Sequence, residues 1–144
     1  MQVKQILKLK GDAGVVTVAP GATLAEAAAL LAERRIGSVV VSADGARPEG
    51  ILSERDIVRE LAQQGEGCLR RPVAEVMTRD VKTCARADPA DHVLARMTEG
   101  RFRHMPVLEG GAMVGLVTIG DVVKARLTEL SMEKDALESM IMGH

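Results

Sequence analysis

The sequence predicts a mixed α/β (α+β) fold made of two β-α-β-β-α units whose sheets are buried together. Three observations carry that prediction. The chain matches itself when displaced by 66 positions, each copy runs through the same order of periodicities, and the 47% hydrophobic content is almost wholly aliphatic, with Phe102 the only aromatic residue. An aliphatic core of Val, Leu, Ile, Ala and Met suits layers of sheet and helix. At 144 residues the chain can bury roughly two thirds of its unfolded surface, so disulfides are not required for stability.

The displacement sets Thr17-Val18-Ala19 on Thr83-Cys84-Ala85 and Ile36 to Val41 on Phe102 to Val107; past the hairpin it becomes 65, setting Gly50 to Val58 on Gly115 to Val123. The lost residue falls in the turn. Two copies of one supersecondary unit are expected to share a buried interface. The units are bounded at 15–65 and 80–128, with a lead-in helix over 1–14, a linker containing a short helix over 66–79 and a C-terminal helix extension over 129–144.

Each element follows from local chemistry. A β-branched strand ends at Pro20-Gly21, and Leu24, Ala27, Ala28, Leu31 and Ala32 then recur near a 3.6 period, predicting a helix from about Thr23 to Arg35. Its counterpart runs from about Asp88 to Gly100. Asp44-Gly45 and Gly110-Gly111 supply the positive φ angles of tight hairpins, and the flanking strands, Ser38 to Ser42 and His104 to Glu109, read as largely buried. Arg71-Pro72 opens the linker, with a short helix over Val73 to Met77. The last helix, from about Asp121, carries Val123, Leu127, Leu130, Leu137 and Ile141 at helical spacing, interrupted by Lys134. That stripe is either a dimer seam or a face folded back on its own unit.

Charge is balanced, 19 basic against 20 acidic residues, which leaves no broad electrostatic footprint for nucleic acid, and no aromatic platform exists for single strands. Lys4, Lys8 and Lys10 break the N-terminal apolar positions, so no signal-peptide core is expected, and no run reaches the ~20 residues that span a bilayer. A cytoplasmic protein is expected. Cys68 and Cys84 lie outside any metal or redox spacing, and His92, His104 and His144 are scattered; both thiols read as reduced and structural.

The most informative residues are Ser53-Glu54-Arg55-Asp56 and Thr118-Ile119-Gly120-Asp121, each placed where an apolar strand runs directly into a helix. One interpretation is a capping box, in which hydroxyl and carboxylate satisfy the first helical N–H groups. The other is a nucleoside handle: the helix start offers N–H donors to a phosphate, and one Asp can accept from both vicinal ribose hydroxyls. Cations for the phosphate stand in Arg101-Phe102-Arg103-His104, just before the strand Met105 to Leu108. The two sites are not equivalent, because Arg55 in one element is matched by Gly120 in the other, where a phosphate could approach the backbone closely.

The tandem β-α-β-β-α pattern, Gly-x-x-Ser/Thr-x-x-Asp closing each unit, and Arg103-His104-Met105-Pro106-Val107 opening a strand together resemble the CBS-domain family, in its short stand-alone bacterial form. The resemblance covers nearly the whole chain. It implies a pseudo-twofold pair of repeats with two clefts able to hold adenine nucleotides, commonly joined as a homodimer. Carried over residue by residue, it puts Thr118, Gly120, Asp121, Arg103 and His104 on ribose and phosphate at one site, with Val16, Ile36 and Gly37 around the adenine. At the other, it puts Ser53, Arg55 and Asp56 on ribose and phosphate, with Met77, Lys82 and Phe102 on the base side and Arg103 as a further candidate there. Gly37-Ser38 stands where the second unit has Arg103-His104, so the Thr118 site is expected to be the better one.

The function implied is a non-catalytic regulatory sensor of AMP, ADP, ATP or NADH that changes shape and is read by an unnamed partner protein. An enzyme would need company for His104 or Cys84, and no triad, metal cluster or Gly-rich phosphate loop is present in the sequence. A ligand-free dimerisation module, with both Ser/Thr-x-x-Asp elements acting as caps alone, is the alternative.

Overall fold

The computed structural model describes residues 1–11 and 14–143. Asp12, Ala13 and His144 lie outside the described residues, and with them the end of the lead-in and the last position of the C-terminal extension. In chain order the elements are α1 (Val3–Lys10), β1 (Thr17–Val18), α2 (Leu24–Arg34), β2 (Ser38–Val41), β3 (Gly50–Ser53), α3 (Glu54–Gln64), β4 (Cys84–Ala85), α4 (Ala90–Gly100), β5 (His104–Glu109), β6 (Ala112–Thr118) and α5 (Ile119–Met142). Two short 3₁₀ turns, Glu66–Arg70 and Val73–Glu75, fill the linker where the sequence suggested one helical turn. Among the described residues, five α-helices and two small sheets give the mixed α/β fold that the repeat pattern predicts.

The sheets have the same order, β1-β2-β3 and β4-β5-β6, with a parallel first pair and an antiparallel hairpin. Ser38 pairs with Ser53 in one and His104 with Thr118 in the other, so the Ser/Thr that starts each last helix lies opposite the residue that opens the central strand. One difference between them has a chemical cause. The Val40 N–H donates to the Val16 carbonyl, whereas Pro106 at the equivalent position has no N–H, and β4 begins pairing only at Cys84 with Val107. Gly110 and Gly111 both take positive φ, +61° and +84°, as a two-residue hairpin loop requires.

The core is split in two, and each half is completed by a segment from elsewhere in the chain. Leu24, Leu31, Val39, Val41 and Leu52 of the first unit enclose Cys68 and Val73 of the linker. Val93, Met97, Met105, Val107 and Val117 of the second unit enclose Val3 and Ile6 of α1. Hence α1, which precedes the first unit, packs on the second, while the linker that precedes the second packs on the first. The backbone ties match: Val3 N–H donates to Asp88 O and the Ala90 N–H to Met1 O, both at 2.9 Å, while Val73 N–H donates to Ala22 O at 2.7 Å and Leu24 N–H to Arg71 O at 3.0 Å.

Two glycines at equivalent positions make these dockings possible. A Cβ on Gly50 would lie 2.7 Å from Met77 Cγ, and one on Gly115 would lie 2.6 Å from Leu7 Cδ2. Each strand therefore presents bare backbone to the crossing segment. The docking aligns the α1 lysines with one of two grooves between the units.

Candidate functional site

Two grooves open where the units meet, and each is lined from both. The larger, about 870 Å³, brings Val16, Ile36 and Gly37 of the first unit together with His104 and Thr118 of the second. Five of the eight residues expected at this site therefore line one cavity. Asp121 stands behind the rim: its carboxylate accepts from the Thr118 N–H at 2.9 Å and meets Lys10 Nζ, itself a lining residue, at 2.8 Å. Arg103, expected on the phosphate here and also offered to the other site, lines the smaller groove alone. Gly120 is a helical position where a Cβ would meet only Thr118 Oγ1 at 3.7 Å, so no protein neighbour requires glycine there.

The smaller groove, about 620 Å³, gathers Ser53, Arg55, Asp56, Lys82 and Phe102 with Arg103, and His104 and Thr118 border it as well as the larger one. Met77, expected on its base side, packs instead against the first unit's core, under Gly50. The physical reason is the docking just described, in which Met77 plays the part that Leu7 plays on the second unit.

Both capping boxes form. Ser53 and Thr118 each accept the N–H three residues on, and Asp56 and Asp121 each accept the backbone N–H of the cap. What separates them is the rest of the carboxylate. Asp56 Oδ2 also accepts the Ser53 hydroxyl, and Oδ1 is taken by Arg59 of the same helix, so that group is consumed locally. Asp121 is held by a lysine on another element, an ion pair in which Lys10 is 36% exposed. Arg59 is the more exposed partner of the two, at 59%; what leaves Asp121 open is that its contacts with the Thr118 N–H and Lys10 both fall on Oδ2, whereas Asp56 has both oxygens engaged.

The electrostatics of the larger groove follow from these contacts. Burial pushes the Asp121 carboxyl up, but the Lys10 hydrogen bond and the Thr118 N–H outweigh it and hold the group below its ordinary value, so it is ionised at neutral pH. Burial, with Arg103 and Lys10 nearby, pushes His104 below the usual imidazole range against the opposing pull of Asp121. A neutral ring offers one donor and one acceptor. Burial pushes the Cys84 thiol up to about 12, which removes the thiolate that nucleophilic chemistry needs.

The sequence reading missed the lysines of α1. Lys4, Lys8 and Lys10 all line the larger groove. A signal existed: Val3, Ile6 and Leu7 match Val73, Val76 and Met77 at a displacement of 70, which marks α1 as the linker's counterpart and sends it to the opposite unit.

This architecture is a pair of like sheet-and-helix units, each completed by a segment that crosses from beside the other, with a hydroxyl and an acid at each last helix start. The CBS domain model matches residues 10–63 and 73–128. The chain belongs to the CBS domain family and carries two copies. A CBS-domain-containing protein from Agrobacterium tumefaciens is 44% identical, with a TM-score of 0.82 over 88% of this chain and 99% of that one. A CBS domain protein from Pyrobaculum aerophilum complexed with AMP is 29% identical (TM-score 0.77, 92% of this chain, 99% of that one). The CBS domain pair of protein MJ0100, in complex with 5-methylthioadenosine and S-adenosyl-L-methionine, is 27% identical (TM-score 0.77, 90% of this chain, 98% of that one).

Proposed function

We propose that this chain is a non-catalytic regulatory module that binds an adenine-containing ligand in the larger groove and passes the resulting change of shape to a partner protein. The observation that carries the reading is the meeting, in one cavity, of an apolar wall from one unit and a helix start from the other. Val16 and Ile36 offer the base a dry surface. Thr118 and the ionised Asp121, reached by displacing Lys10, offer a ribose one hydroxyl and a doubly accepting carboxylate. Neighbours of the same fold hold AMP or S-adenosyl-L-methionine and 5-methylthioadenosine, which supports adenine as the common element.

Binding in a cleft between two units favours the arrangement of the units that fits the ligand, by about RT ln(1 + [L]/Kd), or roughly 2.7 kcal/mol at a hundredfold excess. Isothermal titration with AMP, ADP, ATP, NADH and S-adenosylmethionine tests the reading. At least one should bind with one site per chain in the larger groove and raise the melting temperature; no binding of any at millimolar concentration would end the proposal. For the smaller groove, the self-contained Ser53–Asp56–Arg59 cluster favours a structural cap.

The same reading includes a homodimer formed through α5. Val123, Leu127, Leu130, Leu137 and Ile141 are 40%, 62%, 51%, 59% and 82% exposed, an apolar stripe that does not fold back on its own unit. Sedimentation equilibrium should give twice the chain mass for the wild type, and Leu127→Ser with Leu130→Ser should give the monomer. A wild-type monomer at tens of micromolar would remove the dimer from the model.

A further inference from the structure

We propose that the larger groove is built for a polyphosphate, and that Lys4 and Lys8 of α1 are its specificity-determining residues. The ligand class is a nucleoside di- or triphosphate, favoured over a monophosphate or a cationic sulfonium nucleoside. The inference rests on the adenine-ligand reading and adds to it the nature of the anionic end.

The lining charges carry it. Among the described residues, Lys4, Lys8, Lys10, Arg34 and Arg86 border this cavity and no carboxylate does. Two of the five are already matched, Lys10 by Asp121 at 2.8 Å and Arg86 by Glu109 at 3.2 Å. Lys4, Lys8 and Arg34 form no ion pair among the described residues. The smaller groove differs, since Glu54, Asp56 and Asp80 stand among its cations.

Lys4 and Lys8 are one helical turn apart and therefore share a face of α1. That helix is a seated wall. Leu7 rests on Gly115, the Lys4 N–H donates to Arg86 O at 2.9 Å, and Lys10 Nζ donates to Leu116 O at 2.8 Å. Three unmatched cations on fixed supports exceed what one phosphate needs and suit the roughly fourfold charge of a triphosphate. They repel a ligand that carries a sulfonium and an ammonium. When a ribose takes Asp121, Lys10 is released into the same cavity and becomes a fourth cation for the chain of phosphates.

The test is titration of the full chain with adenosine, AMP, ATP, S-adenosylmethionine and inorganic tripolyphosphate, repeated on Lys4→Gln/Lys8→Gln with its fold checked by circular dichroism. ATP should bind the wild type at least tenfold more tightly than AMP, lose affinity as NaCl rises, and be weakened by the double substitution at least tenfold more than adenosine is. AMP or S-adenosylmethionine binding as tightly as ATP, or equal losses for ATP and adenosine, would overturn the proposal. Lysine-dependent binding of tripolyphosphate with no binding of any adenine compound would uphold the polyanion site and sink the adenine reading beneath it. Failure of tripolyphosphate and ATP alike, with adenosine bound, would do the reverse.

Discussion

Replacing Asp121 by alanine should weaken the adenine ligand of the larger groove by about thirtyfold or more. The carboxylate is ionised and pre-placed by the Thr118 N–H, and a ribose can donate two hydroxyls to it. Hydrogen bonds to a charged acceptor contribute about 1.5–3 kcal/mol each. Releasing Lys10 offsets part of this, about 0–1 kcal/mol for a partly exposed pair. The balance of about 2–6 kcal/mol, at roughly 1.4 kcal/mol per tenfold, gives a loss of about thirtyfold or more. The substitution also removes one arm of a capping box, which costs about 0.5–2 kcal/mol of stability, so binding is to be read by calorimetry well below the melting temperature. Asp56→Ala is the matched control, because it removes the equivalent cap from the first unit and should leave affinity in the larger groove unchanged. Wild-type affinity in Asp121→Ala would mean that Thr118-x-x-Asp121 is a cap and nothing more.

Gly50→Ala should destabilise the protein by about 1–3 kcal/mol, the range for an overpacked core, even though alanine is the better strand residue by roughly 0.5–1 kcal/mol. The added Cβ would overlap Met77 Sδ and lie 3.0 Å from the Thr78 carbonyl oxygen. That carbonyl cannot retreat freely, since Thr78 and Ile51 exchange both backbone hydrogen bonds, at 2.9 and 3.0 Å. Gly115→Ala is the informative comparison. The three atoms nearest its Cβ all belong to the Leu7 side chain, at 2.6 to 3.3 Å, which can turn aside, so its cost should be about 1 kcal/mol or less. It should nonetheless shift α1 and its lysines and lower ATP affinity. Urea midpoints with unchanged slope measure both costs; a Gly50→Ala protein as stable as wild type would show that the linker docks more loosely than its contacts imply.

Much of the fold was legible because the repeat exposes it twice. The helix starts at Thr23, Ser53 and Thr118, the tight hairpin at Gly110-Gly111 and the wholly buried strand Ser38–Val41 each follow from a local rule of capping, φ or periodicity, whereas the tight hairpin expected at Asp44-Gly45 is a longer loop between Val41 and Gly50 in which Gly45 alone takes positive φ. That the units lie together was legible too, but the expected shared buried interface is not what closes their cores: α1 completes one and the linker the other.

What the sequence by itself determined was the set of elements, their duplication and the two hydroxyl-acid handles, all properties of neighbouring residues. Which handle keeps an available carboxylate, that Arg103 faces the smaller groove, that Met77 belongs to the core, and that Lys4 and Lys8 wall the larger cavity were decided only in three dimensions. The reason is the exchange of α1 and the linker between units. It joins residues more than a hundred positions apart, such as Lys10 and Asp121, through packing on bare glycine backbone that no local pattern encodes.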